Sequence, residues 1–271
     1  MSTTSLVFGL VAAPEEEQAS KSFDRLATWL RDHAELDIER KAWPTYRALA
    51  DSVREGKTDV AWLPPVVYSW IAEGVTPIGC IARGGNTSYS AALVVAASSK
   101  LVTLPQLRGA KARAGWVDPW SAAGYVVPRI ELARAGIDPT VTFASETFHG
   151  THRDALLALV RGDCDVVGTY ARIREGDEEH SGAWSELEDL RVRVLTTFGS
   201  IPSDVIAARR NLAPTEYQRA AAALSRASSD PEGRVLLRGL FGGEELRQGI
   251  EPGHEALRLA FETATAKGLF D

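Results

Sequence analysis

The first arrangement in this sequence able to do chemistry is Val117-Asp118-Pro119-Trp120-Ser121-Ala122-Ala123-Gly124-Tyr125. The apolar run Ala112 to Val117 reads as a strand, Asp118-Pro119 as a turn, and Ala122 to Ala135 as a helix with Ser121 at its N-cap. The first N–H groups of a helix have no partner within it. With the helix dipole they offer a seat to an anion or a polarised oxygen. A capped helix without a ligand would use the same serine, so other residues have to decide. Four expected strand ends carry residues fit for contact: Leu63-Pro64-Pro65, Arg83 to Tyr89, Asp118 to Ser121, and Gly168-Thr169-Tyr170. In α/β lobes, ligands sit beyond the carboxyl ends of the strands.

Catalysis would ask more of these residues. Ser121 with His152 could form a nucleophile–base pair, but no third group to orient the base is evident. There is no G-x-S-x-G, P-loop or G-x-G-x-x-G. No catalytic residue and no cofactor are expected. The two cysteines, Cys80 and Cys164, are far apart and form no C-x-x-C, so no metal or dithiol site is expected. Both read as free, small core residues, which favours a reducing compartment weakly.

The elements that must position these residues alternate. Strands are expected at Ser5–Ala12, Leu36–Ala42, Thr58–Leu63, Ile78–Ala82, Ala91–Ala97, Ala112–Val117, Val141–Phe143, Asp165–Gly168, Leu190–Thr197 and Asp204–Ala208. Helices lie between them, among them Glu15–His33, Thr45–Glu55, Val66–Glu73 and Thr151–Val160. After Ala208 the chain reads as helical to its end. Arg172 to Glu188 reads as a charged, solvated helix-loop, and the acidic run Glu175 to Glu179 within it as a solvated face. This alternation indicates an α/β protein with mostly parallel sheets. The length of 271 residues suits two lobes, and 45% apolar with 24% charged residues suits a folded soluble protein. A net charge of −6 argues against a nucleic-acid binder. No apolar run reaches the length of a membrane span, and the first residues do not read as a signal peptide. The chain is thus expected in the cytoplasm, or at the periplasm or cell surface if an export signal has been removed. His33, His180 and His254 sit in polar stretches and are expected to be solvated, and Trp62 and Trp70 to be core.

In order along the chain come Tyr46, Asp59-Val60-Ala61-Trp62-Leu63-Pro64-Pro65 and Tyr68, Leu104-Pro105-Gln106-Leu107-Arg108-Gly109, and Val117 to Arg129. Then follow Gly136-Ile137-Asp138-Pro139, Phe148-His149-Gly150-Thr151-His152 and Gly162-Asp163-Cys164-Asp165-Val166. Together they resemble the phosphonate/phosphite-type substrate-binding proteins of ABC transporters, from about residue 5 to residue 212. The resemblance implies a type II periplasmic-binding-protein fold: two lobes joined by two crossing strands and closing over a small ligand. Lobe 1 would comprise residues 1–94 and 203–271, lobe 2 residues 98–199, with hinges at 95–97 and 200–202.

The resemblance also implies ligand contacts. Ser121 matches the first member of a Ser-Thr-Ser run that cradles the phosphonate, with Ala122 and Ala123 in place of the others. His152 matches a ligand-contacting histidine, and Tyr46 and Tyr89 match tyrosines of the first lobe whose hydroxyls reach the ligand. Thr169 and Tyr170 stand where the family places a polar contact. Pro65, at its strand end, completes the candidate set. Trp120, Tyr170 and the two alanines imply a less polar, more aromatic site and a ligand with an organic body. The function expected is capture of a small oxyanion or polar organic ligand for ABC-type uptake, by a monomer that meets a permease if exported. The alternative is a cytoplasmic small-molecule enzyme, of the menaquinone- or thiamine-precursor type, or a ligand sensor on the same fold.

Overall fold

The computed structural model describes residues 5–11, 17–172, 181–187 and 190–270. Its strands are β1 Leu6–Val11, β2 Ile38–Trp43, β3 Val60–Leu63, β4 Val75–Ala82, β5 Ser88–Ala96, β6 Arg113–Trp116, β7 Ser145–Phe148, β8 Val166–Arg172, β9 Ser181–Gly182, β10 Val192–Pro202, β11 Val205–Arg209 and β12 Glu245–Gln248. The expected acidic run and His180 lie outside the described residues.

Two compact units result: Met1–Thr87 with Pro202–His254, and Ser88–Ile201 with Glu255–Asp271. In the first, the sheet order is β12-β4-β11-β3-β1-β2. Strands β3, β1 and β2 are parallel, while β11 runs antiparallel to β3 and β4, and β12 antiparallel to β4. The helix Glu17–Ala34 packs Phe23, Leu26 and Leu30 against Leu6, Phe8 and Leu10 of β1 in one buried cluster. Its polar residues alternate with these at helical spacing, which is why it forms. Each fully buried Leu or Phe contributes about 1.5–3 kcal/mol.

In the second unit the order is β10-β5-β8-β6-β7, with β9 paired to β8. Strands β8, β6 and β7 are parallel, and β5 is antiparallel to β8. Leu156, Leu159, Val94, Val117 and Val167 are buried between the helix His152–Arg161 and this sheet.

Several expectations need correction. The sheets are mixed rather than mostly parallel, because β11 and β5, the strands next to the chain crossings, run against their neighbours. The chain passes between units at 87/88, so residues 95–97 lie at the far end of β5 within the second unit, and Tyr89 belongs to that unit too. The chain passes again at 201/202, and once more at 254/255. The last residues therefore group with the second unit. Arg129 donates to the Leu269 carbonyl at 2.8 and 3.0 Å, and Phe270 packs on Tyr125. Val141–Phe143 is no strand: Asp138 caps a helical turn, Pro139–Thr142, with Pro139 at its first position. The strand follows at Ser145–Phe148, and another, Glu245–Gln248, interrupts the expected helical tail.

Candidate functional site

In the second unit, the parallel strands β6 and β7 end side by side at Trp116 and Phe148, while β8 runs on past them. Ser121 and His152 thus follow β6 and β7, and Thr169 and Tyr170 lie on β8 itself. After β6, Asp118 Oδ1 accepts the Trp120 N–H at 2.7 Å, which closes the turn into Ser121. Burial pushes the Asp118 carboxyl above its ordinary range. Ser121 caps the next segment, its Oγ accepting the Gly124 N–H at 3.0 Å. That segment opens as a π-helical turn, Ala122–Val126, and continues as the helix Val127–Arg134. The wide turn shows in the Val126 N–H, which donates to the Ser121 carbonyl five residues back, at 3.0 Å. The N–H groups of Ala122 and Ala123, first in the turn, have no carbonyl of the same helix to reach. The two alanines are 3% and 1% exposed, while Ser121 stays half-buried. Gly124 has to be glycine: a Cβ there would meet Val117 Cγ2 at 2.4 Å.

After β7, the His149 and Gly150 N–H groups donate to the Trp116 and Val117 carbonyls at 2.9 and 2.8 Å, tying this loop to the end of β6. Thr151 then caps the helix His152–Arg161, its Oγ1 accepting the Asp154 N–H at 3.0 Å. His152 Nδ1 lies 3.0 Å from Thr169 Oγ1, in the middle of β8. Burial pushes the imidazole down to a pKa of about 4, so it is neutral near pH 7. The Tyr170 ring meets the His152 ring edge-on at 5.0 Å, and its hydroxyl donates to Glu186. Arg172 lies 5.1 Å from the Tyr170 ring centre.

The structure thus brings His152, Thr169 and Tyr170 into contact. The Ser121 turn lies against the same strand: a Cβ on Gly168 would meet the Gly124 carbonyl at 2.9 Å. Antiparallel pairing of Ser90 with Ala171 and of Ala91 with Tyr170 carries Tyr89 to this end of the sheet as well. Thr169, however, is wholly buried. Trp120 packs against Phe261 at 6.1 Å, a neighbour supplied by the helix Pro252–Ala266.

The first unit repeats the placement at its own parallel strands. Tyr46 opens the helix Tyr46–Arg54 just beyond β2, capped by Thr45, whose Oγ1 accepts the Ala48 N–H at 3.1 Å. Pro65 opens the helix Pro65–Ile71 beyond β3 and is buried. Arg83 pairs with Asp204 at 2.5 Å, and Arg113 with Asp165 at 2.8 Å, so both arginines have structural partners. His254, expected to be solvated, is 1% exposed. Its Nε2–H donates to the Ser203 carbonyl at 2.8 Å, and Nδ1 accepts the Glu251 N–H at 3.1 Å, which compensates its burial.

Sequence reading missed Arg129. Its side chain is 3% exposed, ion-paired with Glu146 and set over the Tyr125 ring, four residues past the Ser121 cap. Glu146 also accepts the Trp116 indole N–H at 2.6 Å. An arginine in a helix carries no signal of such partners. A groove of about 420 Å³ between the helices Val127–Arg134 and Pro252–Ala266 involves none of the expected site residues. Among the described residues no group of three or more His, Cys, Asp or Glu side chains could hold a metal ion, and no helix is long and apolar enough to cross a membrane.

Among solved structures, XAC2383 from Xanthomonas citri, bound to chloride ion, matches with a TM-score of 0.78 and 18% identity, over 98% of this chain and 100% of that one. A binding protein component of an ABC phosphonate transporter from Pseudomonas aeruginosa matches with a TM-score of 0.78 and 17% identity, over 99% and 89%. PhnD1 from Prochlorococcus marinus, in complex with methylphosphonate, matches with a TM-score of 0.75 and 13% identity, over 96% and 98%. At such identities the likeness is one of fold, the two-lobed periplasmic-binding type. Comparison with curated protein sequences gives no match. The model of one family, described as the phosphonate periplasmic substrate-binding protein of ABC transporters, fits residues 8–254. With that match over most of its length, the chain belongs to the phosphonate-type substrate-binding proteins of ABC transporters.

Proposed function

We propose that the chain captures a small organic oxyanion, phosphonate-like in its charged group, and hands it to an ABC permease without changing it chemically. The observation that carries this reading is the convergence of the Ser121 turn and His152, which follow β6 and β7, on the stretch of the neighbouring strand β8 that carries Tyr170. The donors there are N–H groups, a hydroxyl and a neutral imidazole. The arginines of this unit described above already face carboxylates: Arg113 faces Asp165, Arg129 faces Glu146, and Arg172 lies 3.6 Å from Glu186. Dipoles in place of paired cations suit an oxyanion of low charge. Without hydroxyls at Ala122 and Ala123, more of the affinity has to come from the organic body of the ligand. Tyr46 and Pro65, at the matching strand ends of the first unit, are the contacts we assign to that unit.

The test is a thermal-shift and calorimetric panel of methylphosphonate, phosphite, phosphate, alkanesulfonates and arylphosphonates. A ligand at about 100 times its Kd adds about 2.7 kcal/mol to the native state and raises its melting temperature. Oxyanions with an organic body are expected to bind most tightly. If phosphite and simple alkylphosphonates outcompete every aromatic compound, the organic-body reading falls. If no oxyanion binds, the whole proposal falls.

A further inference from the structure

Thr169 was expected to touch the ligand, but it is 0% exposed. Its hydroxyl has one side-chain neighbour at bonding distance among the described residues, His152 Nδ1 at 3.0 Å. A buried O–H left without an acceptor costs about 1–3 kcal/mol. The Thr169 proton therefore belongs on the line to His152 Nδ1. A ring nitrogen that accepts carries no proton, and a neutral imidazole has one proton to place. It then sits on Nε2.

We infer that Thr169 is a positioning residue that fixes His152 as the Nε2–H tautomer, so that the site presents a neutral N–H donor to a ligand oxygen. The ring plane is fixed as well, between the Thr169 hydroxyl on one edge and the Tyr170 ring packed against it at an interplanar angle of 77°. The neutral state has a physical cause, since burial disfavours the imidazolium. The chemical consequence is selectivity. A donor at Nε2 rewards an acceptor, such as a phosphonate or sulfonate oxygen, and gives nothing to an N–H or ammonium group at the same spot. The opposite tautomer would reverse that choice. This inference rests on the reading of His152 as a ligand contact, and its test separates the two.

Nitrogen-15 NMR of the ligand-free protein, with labelled histidine, reports which ring nitrogen carries the proton. For His152, assigned by its loss in His152→Gln, the expected result is a protonated Nε2 and a bare Nδ1. Thr169→Val keeps the shape and removes the hydroxyl, so the Nδ1 signal should move and the ring should populate both tautomers. Thr169→Ser should restore the wild-type signals, which a role in packing alone would not do. A wild-type His152 protonated on Nδ1, or spectra identical in wild type and Thr169→Val, would overturn the inference. Methylphosphonate is then added to the wild type. A shift of the Nε2 signal, with binding roughly tenfold weaker in Thr169→Val, supports both claims. A correct tautomer whose Nε2 signal stays still at saturation keeps Thr169 as the residue that sets the tautomer, but removes His152 from the ligand site and overturns the selectivity drawn from it. A shifting Nε2 signal with equal affinity in both proteins overturns the role of Thr169 in binding.

Discussion

Ser121 performs two tasks that can be separated by measurement. As an N-cap its replacement by alanine should cost about 0.5–2 kcal/mol of stability, read in a denaturant titration. As a ligand donor its loss should weaken oxyanion binding only several-fold by calorimetry, because the N–H groups of the turn remain. The two buried alanines allow a gain-of-function test. Ala122→Leu would overpack a site that is 3% exposed and confuse folding with binding. Combining Ala122→Thr with Ala123→Ser restores the hydroxyl run and should tighten methylphosphonate binding about tenfold or more, at some cost to the stability of the free protein. His152 adds a pH dependence. Its folded pKa of about 4 lies below its ordinary 6.5, so the unfolded chain binds the extra proton between these values. The stability it contributes is complete above about pH 6.5 and is lost as pH falls through about 4, with a slope of at most about 1.4 kcal/mol per pH unit. The melting temperature of His152→Gln should fall less steeply across that window than that of the wild type. The local setting of Ser121 was legible, because it follows an apolar strand and a turn at a cap. The burial of Thr169 was not: the sequence reading ended the strand at Gly168, whereas β8 continues to Arg172 and encloses Thr169.

At the scale of elements, apolar alternation and capping residues marked the buried strands and long helices. Two of the strands missed, Ser145–Phe148 and Glu245–Gln248, lie at the edges of their sheets, and a third, Ser181–Gly182, is only two residues long. Edge strands carry charge and lack the apolar alternation that reveals a strand. The π-helical turn after Ser121 also left no sign in the sequence, since it depends on Gly124 closing against Val117. Arg129 binds that helix to distant partners. Removing one member of a buried ion pair costs about 3–5 kcal/mol, so Arg129→Leu should fold poorly, while Glu146→Gln keeps a hydrogen-bond acceptor and should lose less. Chemical denaturation of both variants checks the order.

For the whole molecule, family membership was legible because short motifs keep their order over a long stretch. The partition was less so, because the passage at 254/255 falls inside the first turn of a helix whose sequence shows no break. The lobe closure expected from the sequence implies that a saturating ligand lowers the radius of gyration, which small-angle scattering measures. An unchanged radius with full binding would exclude that mechanism. The hold of Arg129 on the Leu269 carbonyl ties residue 269 to the helix that follows the Ser121 turn. Cutting the chain after Gly268 would leave a buried guanidinium without that acceptor. The unit that carries the Ser121 turn should then unfold at lower denaturant, although the cut lies far from that turn in sequence.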